Sequence, residues 1–563
     1  MQRRGTVVWL GVLLWVGLAT SAQAADTQAA LLAARELLQE ARRAAMTLPD
    51  LDKSPVLAQI RRAAARVGDQ QGALEAHWPG PVTDPDNLGR IAGDLASAGN
   101  SAGAWEVANS IPPNPASRLD HLLGVGWREN EERDVAIYRI AVSTARRGDI
   151  PGALASVDRM AARTDALKAG ALARIATIQA ASGDRAGFAD TIRKARAIAG
   201  GSLFDSFRDE RGRIDKANAR LAVAKAYHET GDQVEARHLL NEARVSASAM
   251  DANHDGQPCL LACIAEGLAA SGDLPGAVQT LDQAEKTYHG DRCTEKAEQP
   301  IILALVRSGD REAALARVDR LGIIERFNMV ADIARLEARS GHRESALLLL
   351  TQYREKAVTT LTGSWRSYLP QVLRTLAEAY VQIGELPEAL ATIELLPADR
   401  NISPVREKMQ VYIQARDFPG ALAVAATLPE ARDGPKWKAI LMIVKGQCDA
   451  GVLPGALTTA QSIPSQYGYS NTEARRILAR AQAKAGNRAD ALETLARVRE
   501  KPDADILRIL CTKAAQAGDL QWAMEMAGQQ TKPAARAHAF LGAAEGLIPW
   551  KDAEPIELPY FRW

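Results

Sequence analysis

The 563 residues set 69 Lys and Arg against 68 Asp and Glu, a formal charge of +1, which leaves no basic excess for bulk binding to nucleic acid or an anionic membrane. Five cysteines are too few for a disulfide scaffold, and a chain this long, 47% hydrophobic, has the material for a core without one.

At the N-terminus, Arg3 and Arg4 precede an apolar stretch from Val7 to Leu18 and then Ala22-Gln23-Ala24. These are the three parts of a Sec-type export signal, residues 1–24, with cleavage after Ala24. The stretch falls well short of the roughly 20 residues of a spanning helix, which weighs against a membrane anchor. No cysteine follows the cleavage site to carry a bacterial lipid, and no later segment is apolar enough to span a bilayer. The expected location is periplasmic or secreted, with 67 basic against 68 acidic residues once Arg3 and Arg4 are removed. Residues 25–53 are expected to hold a capping helix, from Ala29 to Thr47.

From residue 54 to 532 a cassette recurs thirteen times. Its anchor is Gly68, Gly99, Gly148, Gly183, Gly231, Gly272, Gly309, Gly341, Gly384, Gly451, Gly486 and Gly518, with Arg416 standing in once, at spacings of 31 to 49 residues. Five residues on, alanine occupies twelve of the thirteen units, Phe188 being the exception. A position that demands the smallest side chain is one where two helices nearly touch. Segments of helical period, rich in Ala, Leu, Arg and Glu, flank each anchor, as in 174–181 and 389–396. Glycine ends the first helix in the left-handed conformation, and the Asp or Asn after it caps the second. Proline thirteen residues past the anchor, at Pro112, Pro397, Pro429 and Pro464, closes second helices of about three turns. The predicted fold is all-α, a solenoid of about thirteen antiparallel helical hairpins grown by stacking.

This pattern resembles the tetratricopeptide repeat. The family's second-half signature reads clearly in Gly384-Glu385-Leu386-Pro387-Glu388-Ala389-Leu390, and its helix-one tyrosine falls at Tyr227 and Tyr380. The helix-one tryptophan is missing, the late proline comes early and the spacing wanders, which marks a divergent array and keeps HEAT-like repeats as the alternative. The resemblance implies that first helices line a concave groove, at positions ten and six residues before each anchor. Those positions read Arg374, Arg406, Arg476 and Arg508, then Lys225, Arg335, Lys445 and Arg480, interrupted by Glu266 and Glu378. Such a stripe suits carboxylates or phosphates through charge-assisted hydrogen bonds. The competing reading is that these side chains only solvate the groove or pair with neighbouring acids.

Insertions fall between units, at 114–132, 200–212, 250–257 and 359–364, where they would project as loops. Within one of them, Asp251, Asn253 and Asp255 match the first half of a calcium loop, but Ala262 stands where a closing glutamate belongs, so a plain turn competes with a weak metal site. Cys259 and Cys263 lie one helical turn apart, and Cys293 begins the equivalent helix of the next unit. In an oxidising compartment a disulfide from Cys293 is expected, with Cys259 the better partner; a zinc site with His254 is the lesser alternative. A closing helix is expected over 533–547, followed by an aromatic and proline-rich tail, 548–563.

No Gly-x-Ser-x-Gly, His-Glu-x-x-His or Gly-x4-Gly-Lys signature occurs, and the eight histidines are scattered. The expectation is therefore a non-enzymatic scaffold, without cofactor, that holds a peptide, protein segment or anionic polymer, the partner being a protein or peptide of acidic character. The alternatives are a structural subunit of an envelope export complex, with the C-terminal tail docking on a partner, and a helical enzyme or accessory domain acting on cell-wall polysaccharide.

Overall fold

A computed structural model describes residues 28–76, 84–111, 131–161, 165–200, 210–250, 256–287, 292–396, 404–431, 434–498 and 503–547. Every regular element among them is helical, and first and second helices alternate along the chain. The expected export signal, the calcium-like loop with Asp251, Asn253 and Asp255, His254 and the tail 548–563 lie outside the described residues.

The anchor sets the hairpin. All twelve anchor glycines have φ between 71° and 91°, and Arg416, at φ 59°, is the one non-glycine among the described residues in that region. The turn closes with two bonds: at Gly384 the anchor amide donates to Val381 and the next amide, Glu385, to Tyr380 at 2.8 Å. Arg416 and Asp417 repeat the pattern onto Ile413 and Tyr412. The following acid then caps the second helix, as where Asp310 accepts from the Ala313 amide at 3.1 Å and Asp149 from Gly152 at 2.9 Å. The close-contact alanines behave as one class: Ala73, Ala104, Ala153, Ala236, Ala277, Ala314, Ala346, Ala389, Ala421, Ala456, Ala491 and Ala523 are all fully buried. Phe188, the exception, stays half-buried and sets its ring edge-on to Tyr227 at 6.2 Å.

Second-helix length departs from the expected three turns. Pro429 and Pro464 do follow nine-residue helices, Phe418–Ala426 and Leu453–Gln461. Four others run longer: Arg185–Gly200, Gln233–Ser248, Leu274–Thr287 and Arg343–Thr360, of 14 to 18 residues. In these the residue thirteen past the anchor is Arg196, Arg244, Glu285 or Arg354, so nothing removes an amide donor and the helix continues. The same residues reach the second helix of the next hairpin: Arg196 pairs with Glu235 and Arg354 with Glu388, each at 2.8 Å, and Arg244 donates to Gln279 at 3.0 Å.

The chain forms two compact units. One contains residues 162–478, with hairpins from Asp165–Ala181 and Arg185–Gly200 to Pro435–Asp449 and Leu453–Gln461, each first helix packing on its own second helix and on a neighbouring first helix. The other combines residues up to 161 with 479–557. In that unit Leu38, Leu57, Ile60, Leu95 and Ile140 share one apolar core with Leu507, Phe540 and Leu541. The helices expected to cap opposite ends of an array, 28–46 and Pro533–Gly546, are therefore parts of a single core. Helix Pro533–Gly546 also packs on Asp50–Arg66. Burial of this shared surface is what each end would otherwise leave open to water.

Candidate functional site

The first helices carry the expected basic residues, and most of these meet carboxylates. Arg374 Nε lies 2.8 Å from Glu407, Arg335 2.8 Å from Asp332, Arg476 3.9 Å from Glu473 and Arg480 2.8 Å from Asp503. Arg508 forms a two-pronged pair with Glu545, its Nε at 2.8 Å, and also donates to Gln59. Lys225 faces Glu266, whose carboxyl is pushed up by burial and drawn back by that lysine. Glu378 accepts from Gln414 at 2.9 Å, and Arg406 and Lys445 are exposed. The stripe is thus largely a set of paired charges. Glu407, Asp503 and Glu545 lie on or beside the next first helix along the chain.

Two of these residues come together in one place, in the unit that combines residues up to 161 with 479–557. An open cleft of roughly 550 Å³ is lined by Arg480, Lys484, Arg508 and Lys513 on the cationic side, by Asp505 and Glu545 on the acidic side, and by Ile509 and Thr512. Arg480 and Arg508 are two of the expected groove residues. Lys484 and Lys513 were missed, because they fall outside the two sampled positions. Arg480 is held by Asp503 and Asp505, and Arg508 by Glu545, but Lys484 and Lys513 are exposed and form no ion pair among the described residues. The cleft therefore presents two positioned guanidiniums and two uncommitted ammonium groups.

Its walls are fixed by close helix contact. A Cβ at Gly542 or Gly546 would collide with the carbonyl oxygens of Arg508 and Thr512, so helices Ala504–Gln516 and Pro533–Gly546 approach almost backbone to backbone. His538 on the closing helix lies 3.7 Å from Asp505, and its pKa is lowered by burial and by Arg508 against the opposing pull of the acids. A second cleft, of roughly 500 Å³ over Leu38, Ile60 and Ala64, has its rim charges matched by the Arg42–Glu75 pair.

Cys259 is disulfide-bonded, while Cys263, Cys448 and Cys511 are free thiols; the side chain of Cys293 lies outside the described residues. Burial, reinforced by Glu266 and opposed by Lys225, pushes the Cys263 thiol up to about 12, which makes it a poor nucleophile. No group of three or more His, Cys, Asp or Glu side chains suited to a metal occurs among the described residues, and none of the described helices is long and apolar enough to cross a membrane.

Left-handed hairpin anchors, glycine at twelve of thirteen, a fully buried alanine at twelve of thirteen crossings and alternating first and second helices decide the fold. The chain is an all-helical repeat protein whose hairpins resemble the tetratricopeptide repeat. No family model matches it, and no curated protein does. Among solved structures this helical-repeat chain is similar to Ton1535 from Thermococcus onnurineus NA1, at 17% identity over 65% of this chain and 95% of that one, with a TM-score of 0.26. It is similar too to the pentatricopeptide repeat protein PPR10 from maize, at 16% identity over 84% and 78%, TM-score 0.25. A third is Naa15/Naa10 bound to HypK-THB, at 14% identity over 87% and 78%, TM-score 0.32.

Proposed function

We propose that this helical-repeat protein is an exported, non-enzymatic interaction scaffold whose cleft at Arg480, Lys484, Arg508 and Lys513 holds an acidic peptide or protein segment. The observation that carries the reading is the pair Lys484 and Lys513: two exposed ammonium groups without acidic partners, beside guanidiniums already fixed in place. Positioned cations spend little side-chain entropy on gripping a carboxylate, and flexible lysines complete the contact at the rim. The export signal at residues 1–24 supports a periplasmic or secreted location. The open form of the cleft favours an extended segment over a small enclosed substrate.

The test is fluorescence anisotropy with a labelled glutamate-rich peptide and the full chain. Lys484→Glu combined with Lys513→Glu is expected to weaken binding about tenfold or more, since each 1.4 kcal/mol is a factor of ten. Added salt should weaken the wild-type complex. Equal affinity in wild type and variant, or equal binding of a lysine-rich peptide, would refute the reading.

A further inference from the structure

In the unit spanning 162–478, three carboxylates converge on one buried guanidinium. Arg317 ends helix Arg311–Val318 and is 5% exposed at its side chain; Glu298, on helix Arg292–Arg307, is 4% exposed. Arg317 donates through Nε to Glu298 at 2.8 Å, through Nη2 to the other oxygen of Glu298 at 2.6 Å, and through Nη1 to Asp282 at 2.9 Å. Three of its five N–H groups are then used. The third carboxylate, Glu285 of helix Leu274–Thr287, comes no closer than 3.6 Å to Arg317. Arg320, the other nearby cation, is turned to Asp282 at 3.4 Å. Glu285 is left beside Glu298 and Asp282, two like charges, with no donor of its own among the described residues.

We propose that Glu285 holds a proton that it donates in a hydrogen bond to Glu298, and that this proton makes the joint between the hairpins anchored at Gly272 and Gly309 sensitive to pH. Protonated, Glu285 donates to Glu298 and the cluster of three acids and two arginines is neutral. Deprotonated, it sets two carboxylates against each other across the joint between consecutive hairpins. The charged groups facing Glu285 are Asp282 on its own helix, Glu298 on the next first helix and Arg317 on the next second helix. Burial, the hydrogen bond to Glu298 and the Glu298 charge raise Glu285 to about 7, while Arg317 opposes them. The folded chain therefore binds a proton that the unfolded chain releases at the ordinary carboxyl value. The resulting stability is complete below that value and is lost as pH rises through about 7. This inference is independent of the anion-binding cleft, which lies in the other unit.

The experiment is thermal unfolding of the full chain from about pH 4 to about pH 8.5, wild type against Glu285→Gln, whose amide keeps the donor to Glu298 at every pH. The melting temperature of the wild type is expected to fall relative to the variant between the ordinary carboxyl value and about pH 7, and the two curves to run parallel above that. Curves parallel over the whole range would overturn the proposal. Native hydrogen exchange, corrected for its intrinsic pH dependence, supplies a check without substitution: protection over 274–287 and 311–318 should fall across the same interval in the wild type. Constant protection there would equally overturn it.

Discussion

Arg416 holds the left-handed conformation, φ 59°, that glycine holds at the other twelve anchors, and it makes the same pair of closing bonds through its own amide and that of Asp417. The conformation costs a side-chain-bearing residue roughly 1–2 kcal/mol, while glycine costs about 0.4–1 kcal/mol through the unfolded chain. Arg416→Gly is thus expected to stabilise the protein by roughly 0.5–1 kcal/mol in denaturant melts. A loss of stability would show that the exposed guanidinium contributes something other than its backbone. The anchor register was readable at this scale because one backbone requirement acts on one residue. The pairing of Arg374 with Glu407, or Arg508 with Glu545, was not, since it depends on which neighbour lies opposite.

Each hairpin is a close helix crossing, and the alanine five residues past the anchor marks it. Ala456 is fully buried on helix Leu453–Gln461, and its neighbour Leu457 faces outward at 36% exposure. Ala456→Leu is expected to cost about 1–3 kcal/mol by overpacking. Leu457→Ala should stay within about 0.5 kcal/mol of wild type. Similar melting of both variants would contradict the assignment of the crossing. Second-helix length was only partly legible. Proline announces where the short helices stop, but its absence says only that a helix is free to continue. How far it continues depends on contacts such as Arg354 with Glu388 or Arg196 with Glu235, which belong to the next hairpin.

At the scale of the whole molecule, the described residues from 28 to 161 and from 479 to 547 fold into one unit, with Leu57 and Ile60 in the same core as Leu507 and Leu541 and with Gln59 bonded to Arg508. A repeat pattern describes how each hairpin meets the next; it carries no signal for a meeting of residues 449 positions apart. The candidate cleft depends on this meeting, because Arg508 takes part in both. Two of its four cations were legible from the groove register. Lys484 and Lys513 became visible only when the helices around the closing segment were in place. The most direct test is hydrogen exchange on the chain truncated after Lys532. Amide protection over Asp50–Arg66 is expected to fall sharply while Gly256–Ala270, in the other unit, keeps its protection. Full protection of Asp50–Arg66 in the truncated chain would contradict a core shared by the two ends.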